Sequence, residues 1–548
     1  MNHGRVSLVL AMVGGLASCY APGGVDPLVD PPTSGSSGEE SGETGEPQLR
    51  EIEPIHGVDL LFVLDDTRDM ALAQRLVAQA GTTLASEFAG IDLRIGFTTT
   101  DTGNPRCPVP TPEDGALVRT SCHDAPERFV FDNEDFWDTA CGLCSLRDDE
   151  LGWIPTTTAV DPNLVQRPWI ERAADGAGNY DPGVDLAQAF ACVAPLGVSG
   201  CGFETPLESL RRAMVRTTDP GDINYGFVRD DTILAIVLVS NETDCSARDL
   251  DIFTINQSFW DGDVVPTSAA CWRAGVTCTG AGPAYARCDA ADFDASAAPA
   301  ASAEDAVLVP VADYIEFMRG IASERSARNP AQQVLMRLLS GVPDGYELGN
   351  LEIPYVAAPE ESVNLYGIGP GCTASDGRAG VPPVREREVV EAFQVGPVRN
   401  IYSICADGYD DMFAGLAAEV RAYAGRVCVP QCVADRYAST PEREPDCVFT
   451  RADLHAADPL ALIPMCGVDD LGGAKVPDGH EHCFVSHTDR SGATPEAGDD
   501  LTAGCREQGY NLEISLVART PGDAPPRVRV DCSDSSEPTT DCPLLAGS

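Results

Sequence analysis

The sequence carries little positive charge and almost no lysine. Its 548 residues contain 37 Lys and Arg against 85 Asp and Glu, a formal net charge of -48, and Lys475 is the single lysine. A surface this acidic repels phosphate groups, so the composition excludes a broad binding face for nucleic acid or anionic lipid. Divalent cations and basic partners are compatible with it.

The common sequence signatures of enzymes are also missing. The chain has 7 histidines, no Gly-x-Ser-x-Gly elbow, no His-Glu-x-x-His pair and no phosphate-binding loop ending in Lys-Ser or Lys-Thr. Residues 367–371 are glycine-rich, but no predicted strand precedes them and no predicted helix follows, so they are interpreted as a loop. We therefore expect a protein that is not an enzyme.

The N-terminus has the pattern of an export signal. The apolar run from Val6 to Ala17 follows Arg5 and is too short to span a bilayer. Leu16-Ala17-Ser18-Cys19 resembles the bacterial lipobox, which implies a signal peptide over 1–18 and lipidation of Cys19. Since Tyr20 is not the aspartate of inner-membrane retention, we expect an outer-membrane lipoprotein, facing the periplasm or the cell surface. An ordinary signal peptide cut near Ala21 is the alternative.

The number of cysteines agrees with export. Setting Cys19 aside from the 21 cysteines leaves an even number, which predicts up to ten disulfides in an oxidising compartment. Their connectivity stays open at this point. Proximity in sequence suggests Cys192 with Cys201, Cys141 with Cys144, Cys107 or Cys122, and pairs within Cys271, Cys278 and Cys288.

The segment that follows Cys19 is predicted to be a tether. Residues 19–54 are rich in Pro, Gly, Ser, Thr and Glu and carry mostly negative charge. Such a composition buries too little apolar area to offset its ordering entropy. We expect a flexible acidic spacer that anchors the folded body to the membrane through the lipid.

Strand and helix patterns alternate between residues 55 and 427. Val58–Leu64 is an apolar run typical of a buried parallel strand, and an apolar residue at every fourth position from Leu72 to Phe88 predicts a helix. Apolar and polar residues alternate from Ile91 to Phe97, which predicts a strand with one face against the core. Further patterns predict helices over 205–214, 311–324 and 409–426 and strands over 232–240 and 333–339. This order indicates an α/β fold with a doubly wound, mostly parallel sheet.

Three long segments interrupt this pattern, at 101–184, 244–307 and 341–383. Because structureless loops of this length are uncommon in a compact domain, we expect disulfide-stapled insertions. Residues 428–548 have a different pattern, with many cysteines and short strand-like runs at 511–517 and 526–530. They predict a small, cysteine-rich, β-rich C-terminal region.

A group of oxygen-bearing side chains follows the first predicted strand. The spacing Asp65-x-Thr67-x-Asp69 resembles the metal-ion-dependent adhesion motif of von Willebrand factor A (vWA) domains, in which three loops hold a divalent cation above the sheet. By this resemblance Thr205 matches the threonine of the second loop, and Asn241 stands at the aspartate position of the third. The resemblance implies a Mg²⁺ or Ca²⁺ site made of Asp65, Thr67, Asp69, Thr205 and Asn241.

The sequence departs from the motif at two positions. Asp69 replaces a serine and adds charge, whereas Asn241 replaces an aspartate and removes it, so the ligand set is redistributed. Two alternatives to a metal are that Arg68 folds over the site as a salt bridge, or that the three side chains cap the following helix.

The stretches 196–204 and 239–246 also resemble cysteine-rich vWA-domain lipoproteins of myxobacteria. The resemblance implies a lipid-anchored, non-enzymatic binding or adhesion module that engages a protein or a glycan. The alternatives are an extracytoplasmic hydrolase, with its chemistry in the insertions or the C-terminal region, and a purely structural envelope lipoprotein.

Two other motifs have simpler explanations. Cys141-Gly-Leu-Cys144 could be a redox pair, but the surrounding Asp and Glu residues raise thiol pKa values, which favours structural disulfides. The cluster His480, His482 and His487 is compatible with a metal or with an exposed turn, and Cys483 within it is expected to be oxidised.

Overall fold

In a computed structural model of the chain, the strands and helices belong to the unit that begins at Leu49. The predicted signal peptide, Cys19 and most of the predicted tether lie outside the described residues. No described helix combines the length and apolarity needed to cross a membrane. The structure describes residues 50–545 except 53, 108–111, 256, 261–264, 281–282, 330–331, 358–359, 396–397, 438–442, 456–457, 459, 469–472, 490–498 and 521–524.

A six-stranded, mostly parallel sheet lies at the centre of this unit. In chain order its strands are β1 Gly57–Leu64, β2 Asp92–Thr99, β3 Trp169–Arg172, β4 Thr232–Val239, β5 Val334–Ser340 and β6 Ile401–Ser403. Their spatial order is β6-β5-β4-β1-β2-β3. All neighbours are parallel except β2 and β3. The predicted mostly parallel sheet is therefore confirmed.

Strand β1 shows why the apolar run forms a central strand. Val58, Leu60, Phe62 and Leu64 enter one hydrophobic cluster, and Leu61 and Val63 enter a second one. Every one of these side chains is at most 1% exposed. Both faces of the strand are covered, which is the environment that a continuous apolar sequence favours.

Strand β2 differs from its prediction. Its alternating pattern predicted one polar face, yet seven of its eight residues are buried. Arg94 on the polar face forms an ion pair with Glu171 of β3 at 3.0 Å and donates to the carbonyl oxygen of Gly226 at 2.6 Å. Polar partners from the insertion thus satisfy a face that the pattern assigned to solvent.

Six main helices supply the two clusters. Helices α1 Ala71–Glu87, α2 Leu186–Val193 and α6 Asp410–Tyr423 contribute to the first. Helices α3 Pro206–Arg216, α4 Val311–Arg328 and α5 Val384–Glu391 contribute to the second. Four of them confirm predicted helices, whereas α2 and α5 were not predicted, because each is only 8 residues long.

The remaining elements of this part are short. The helical turns are Arg68–Met70, Pro126–Phe129, Trp137–Cys141, Asp148–Leu151, Leu250–Phe253, Ala269–Gly275, Ala303–Asp305, Tyr346–Leu348 and Glu360–Tyr366. The two-stranded ribbons are Val130–Phe131 with Glu134–Asp135, Val276–Thr279 with Arg287–Ala290, Ala284–Tyr285 with Tyr355–Val356, and Cys372–Thr373 with Ala379–Gly380. They lie mainly in the segments predicted as insertions.

The C-terminal region is built from small antiparallel sheets. One sheet contains Arg426–Cys428, Glu513–Ala518 and His482–His487, and a second contains Arg50–Ile52, Val528–Cys532 and Cys447–Arg451. A ribbon, Gly467–Val468 with Ala474–Lys475, and the helices Ala503–Glu507 and Pro538–Asp541 complete it. The β-rich character predicted for this region is observed.

The N-terminal strand corrects the predicted extent of the tether. Arg50–Ile52, assigned to the tether, pairs with Val528–Cys532. Ile52 packs against the C-terminal hydrophobic cluster, and Arg529 donates to Glu51 at 3.0 Å. One apolar side chain and a ladder of backbone bonds are enough to bring these residues into the folded body.

The described residues contain ten disulfides, as predicted, and these bonds join all of the described cysteines. The bonds are Cys107–Cys201, Cys122–Cys141, Cys144–Cys192, Cys245–Cys271, Cys278–Cys288, Cys372–Cys405, Cys428–Cys505, Cys432–Cys542, Cys447–Cys532 and Cys466–Cys483. This density is typical of proteins that fold in an oxidising compartment outside the cytoplasm.

The pairing corrects several suggestions based on sequence proximity. Cys192 bonds to Cys144 and not to Cys201. Cys141 bonds to Cys122, which was one of its three suggested partners, so Cys141 and Cys144 belong to different disulfides and do not form a redox pair. The fold brings distant segments together, and separation along the chain is a poor guide to such contacts.

Candidate functional site

Asp65 lies where two loops meet at the carboxyl end of the sheet. Its Oδ1 accepts hydrogen bonds from the backbone N–H of Thr67 at 2.9 Å and from the Thr67 hydroxyl at 2.6 Å. Its Oδ2 accepts from the hydroxyl of Ser240, which follows β4, at 2.8 Å. The side chain is fully buried, so this carboxylate joins the loop after β1 to the loop after β4.

The side chain of Gln74 in α1 holds this arrangement in place through hydrogen bonds to backbone groups. Its Nε2 donates to the carbonyl oxygens of Asp65 at 2.9 Å and Gly197 at 2.7 Å. Its Oε1 accepts from the backbone N–H of Leu196 at 2.9 Å and of Gly197 at 3.3 Å. One buried amide therefore connects the loop after β1 to the segment that precedes α3.

The other four predicted ligands are distributed around Asp65. Thr67 is in direct contact with it, whereas Asp69 is exposed. Asn241 is 8% exposed, and its Oδ1 is buried without a hydrogen-bond partner. The hydroxyl of Thr205 donates to the carbonyl oxygen of Thr100 at 2.6 Å. Thr205 is thus engaged by the loop after β2.

The structure contradicts both alternatives to a metal. Arg68 donates to Glu134 at 2.7 Å, and its guanidinium lies over the ring of Phe136, so it does not fold over Asp65. Thr67 precedes the helical turn Arg68–Met70 without a side-chain capping bond. Its hydroxyl accepts no capping bond and instead donates to the buried Asp65 carboxylate.

Three acidic residues beside the predicted ligands were missed. Asp66, Glu204 and Glu242 are neighbours in sequence of Asp65, Thr205 and Asn241. Asp66 and Glu204 are 8% and 0% exposed. Each of the three has one buried carboxylate oxygen with no hydrogen-bond partner among the described residues. The second oxygen of Glu204 accepts from the hydroxyl of Thr100. The sequence could have indicated these acids, since all three occur in the loops that contain the predicted ligands.

Burial and mutual repulsion raise the pKa values of this acidic group. Burial raises the pKa of Asp65, and burial with nearby negative charges raises those of Asp66 and Glu204 well above their ordinary values. For Glu242, burial and the charges of Asp65 and Asp69 raise the pKa to about 8. Within the described part of the chain, no Arg or Lys forms an ion pair with these residues. Such carboxylates either hold protons or require a cation.

The donor set at this edge is suited to a hard divalent cation. It consists of carboxylate, hydroxyl and amide oxygens, which Mg²⁺ and Ca²⁺ prefer. Among the described residues, no three carboxylates at this edge place oxygens within 4.8 Å of one another. A cation here would therefore use hydroxyl or carbonyl oxygens as well as carboxylates.

Two groups of three described residues do place their ligand atoms within 4.8 Å of one another, but they lie in other parts of the structure. Asp489, Asp499 and Asp500 form one such group, and Cys122, Cys141 and Cys144 form the other, but the three cysteines are all in disulfides. The predicted histidine cluster yields no metal group in the described chain. Its Cys483 is oxidised, as expected, in a bond with Cys466.

A cleft adjoins the candidate cation site. Its volume is about 410 Å³, within the usual range for ligand sites. It lies between the start of α1, the loop after β4, the helix Glu360–Tyr366 and the hairpin near Arg378. Asp69 and Asn241 both line it, so two of the predicted ligands face a space that can admit a partner.

Two disulfides fasten the loops of this edge. Cys107–Cys201 holds the segment before α3, and Cys245–Cys271 holds the loop after β4. Gly200, next to Cys201, donates from its backbone N–H to the carbonyl oxygen of Asp66 at 2.8 Å. The site is thus positioned by covalent bonds and by the sheet.

Comparison with known proteins gives no family. No family model and no curated protein matches the chain. The chain is similar to the pilus adhesin SpaC from Lactobacillus rhamnosus GG in its open conformation, with 10% identity and a TM-score of 0.27 over 88% of this chain and 39% of the adhesin. A second structure of that adhesin gives 10% identity and a TM-score of 0.25, with the same shares. The chain spans about two fifths of the adhesin's length. At these TM-scores the likeness assigns neither fold nor function.

Proposed function

We propose that this chain is an extracytoplasmic binding module of the vWA type that holds a divalent cation at the carboxyl edge of its sheet and engages a protein or glycan there. The doubly wound arrangement of that family is supported by the two hydrophobic clusters on opposite faces of β1. Attachment to the outer membrane through Cys19, with residues between 19 and 49 as the tether, belongs to the same proposal.

One observation carries the cation proposal. Asp65 joins two loops, and the buried acids Asp66 and Glu204 beside it each have one carboxylate oxygen without a hydrogen-bond partner among the described residues. Buried charges are normally paired or coordinate metals, because an isolated buried ion is costly. A bound Mg²⁺ or Ca²⁺ would supply the missing countercharge.

Calorimetric titration of the full exported chain with Ca²⁺ and Mg²⁺ tests this. We expect binding of one cation, weakened about tenfold or more by Asp65→Ala and by Glu204→Gln, because each removes a buried charge. The matched control is Glu352→Gln, whose side chain is 91% exposed. Absence of binding to the wild type, or equal binding by Glu204→Gln and the control, would contradict the proposal.

A second candidate function has one observation in its favour. In the C-terminal region His487 Nε2 lies 2.6 Å from Ser515 Oγ, which is the contact expected between a serine nucleophile and its base. This matches the hydrolase alternative. Labelling by a fluorophosphonate that Ser515→Ala abolishes and Ser486→Ala does not would support a hydrolase, and absence of labelling would oppose it.

A further inference from the structure

We infer that the cleft beside the candidate cation site binds a basic side chain, a guanidinium or an ammonium group, of a protein partner. This rests on the proposed function only in using the same edge of the sheet as the binding face. It narrows the partner class from a protein or glycan to a basic protein segment.

The charges that line the cleft are unequally balanced. Arg378 is 5% exposed and forms a 2.8 Å ion pair with Asp376, and Arg68 forms its ion pair with Glu134. Both arginines of the lining are therefore neutralised by their own partners. Asp69 is exposed and forms no ion pair with any described residue. Of the four charged side chains in the lining, Arg68, Asp69, Asp376 and Arg378, Asp69 is thus the one without an ion pair to a described residue, and it presents an unpaired negative charge to a ligand.

Further acids lie close to one residue of the lining, Tyr366. Tyr366 lines the cleft, and burial together with the charges of Glu242, Asp69 and Asp65 raises the pKa of its hydroxyl. Three acidic groups from two loops thus act on one point of the lining. When these groups are ionised, the field at that point attracts a cation and repels an acidic ligand.

The lining also provides contacts that a basic group uses. The ring of Tyr366 offers a face for a cation–π contact. Asn241 is 8% exposed, and its unpartnered Oδ1 adds a neutral acceptor. The Asp69 carboxylate, which lines the same cleft, adds a charged acceptor. A guanidinium, with five donors and a flat face, matches this set.

The acidic group changes what a bound metal would do. A cation surrounded by few carboxylates stays electrophilic and captures an acidic group of a partner. Here the nearby carboxylates of Asp66, Glu204 and Glu242 neutralise a divalent ion. Capture of an acid at the metal becomes unfavourable, and the chain's formal charge of -48 favours a basic partner at a distance as well.

Fluorescence anisotropy with a labelled peptide of alternating glycine and arginine tests the inference. The comparison peptide carries citrulline in place of arginine, which keeps the shape and removes the charge. In about 0.15 M NaCl, where distant charges are screened, we expect the arginine peptide to bind at least about tenfold more tightly. Equal binding of the two peptides would overturn the inference.

Variants of acidic and basic residues that line the cleft should change the affinity for the arginine peptide in opposite directions. Asp69→Asn should weaken binding about tenfold, and Tyr366→Leu about fivefold. Arg68→Gln should strengthen it about threefold, because it leaves the Glu134 carboxylate without its ion-pair partner beside the cleft. The matched control is Asp344→Asn, an exposed aspartate that does not line the cleft and causes the same loss of net charge. An Asp69→Asn effect no larger than that of the control would show non-specific attraction and overturn the inference.

The same assay separates this inference from the cation proposal. With EDTA, peptide binding that still depends on Asp69 supports the cleft even if the calorimetric titration detects no cation. Conversely, normal Ca²⁺ or Mg²⁺ binding without preference for arginine over citrulline would overturn the cleft inference alone. Preferential binding of a hexaglutamate peptide in Ca²⁺ would contradict it directly.

Discussion

The central sheet and the C-terminal region are stabilised in different ways. Strand β1 is buried on both faces by two large clusters, whereas the C-terminal region has one small cluster of ten buried residues and four disulfides of its own. A small core buries too little apolar area for independent stability, and cross-links compensate. The comparison indicates that burial holds the sheet and covalent bonds hold the C-terminal region.

The largest expected effect comes from truncating the core of the sheet. Phe62 is fully buried and lies 5.1 to 5.9 Å from the rings of Phe97, Phe190 and Phe413. Phe62→Ala should lower the free energy of unfolding of the sheet by about 3–5 kcal/mol, measured by hydrogen exchange in β1 and β4. Phe449→Ala is the matched change in the C-terminal cluster, where Phe449 contacts Phe484 at 4.5 Å. Loss of protection in the sheet from Phe449→Ala would contradict the comparison.

The next largest effect tests the cross-links. Replacing Cys447 and Cys532 by alanine removes a bond between residues 85 apart in sequence and should destabilise the C-terminal region by about 2–4 kcal/mol. Removing Cys278–Cys288, which closes a separation of only 10, should cost less because a shorter loop constrains the unfolded chain less. Limited proteolysis should cut the first variant in the C-terminal region, and equal resistance of both variants would argue against the comparison.

The pH dependence of stability tests two buried acids that lie in different parts of the structure. The pKa values of Glu242 and of Glu386 in α5 are both raised to about 8 from the ordinary 4.5, mainly by burial. In this window the folded protein holds protons that the unfolded chain has lost, so stability falls as pH rises from about 4.5 to 8. Glu242→Gln and Glu386→Gln should each reduce this fall, measured as the urea midpoint at pH 5 and pH 8.

Repeating these measurements with Ca²⁺ tests whether Glu242 lies near the proposed cation. Because a bound cation favours the ionised form, saturating Ca²⁺ should reduce the fall in the wild type and in Glu386→Gln. It should change the fall less in Glu242→Gln, where the group that ionises is absent. An equal effect of Ca²⁺ on all three proteins would count against Glu242 lying near the ion.

The smallest effect concerns one methyl group. A Cβ at Gly200 would overlap the Asp66 carboxylate, whereas a Cβ at Gly202 meets nothing within 4 Å. Gly200→Ala should therefore destabilise the fold by about 1–3 kcal/mol and weaken cation binding, while Gly202→Ala changes neither. Thermal melting and calorimetry check both variants. Unchanged cation affinity in Gly200→Ala would remove Asp66 from the site.

The sequence was most informative where a local pattern determines the structure. Continuous apolar runs predicted β1 and β4, and fourfold spacing predicted α1. Asp65 and Thr67 lie in contact at the carboxyl end of β1, where their position directly after a predicted strand put them. The edge strands β3 and β6, with only 4 and 3 residues, have too few positions for a period to be detected.

The candidate site could be predicted only in part for a physical reason. In an irregular loop, neighbouring side chains point in different directions. No sequence period shows which of them points into the site. Thr205 was selected, yet it faces Thr100, and the buried carboxylate belongs to Glu204 beside it. Similarly, Asn241 was the predicted ligand, whereas the carboxylate next to it in the loop belongs to Glu242. Distant partners such as Cys107 and Cys201 are set by the fold and leave no local signal.

The two disulfides at the sheet edge give the site a dependence on cellular location. Both Cys107–Cys201 and Cys245–Cys271 hold ligand-bearing loops in place, and neither would persist among cytoplasmic thiols. A newly synthesised chain would thus build its sheet from apolar residues alone but leave these loops unfixed until oxidation. The binding proposed for this edge of the sheet would then begin only after export to an oxidising compartment.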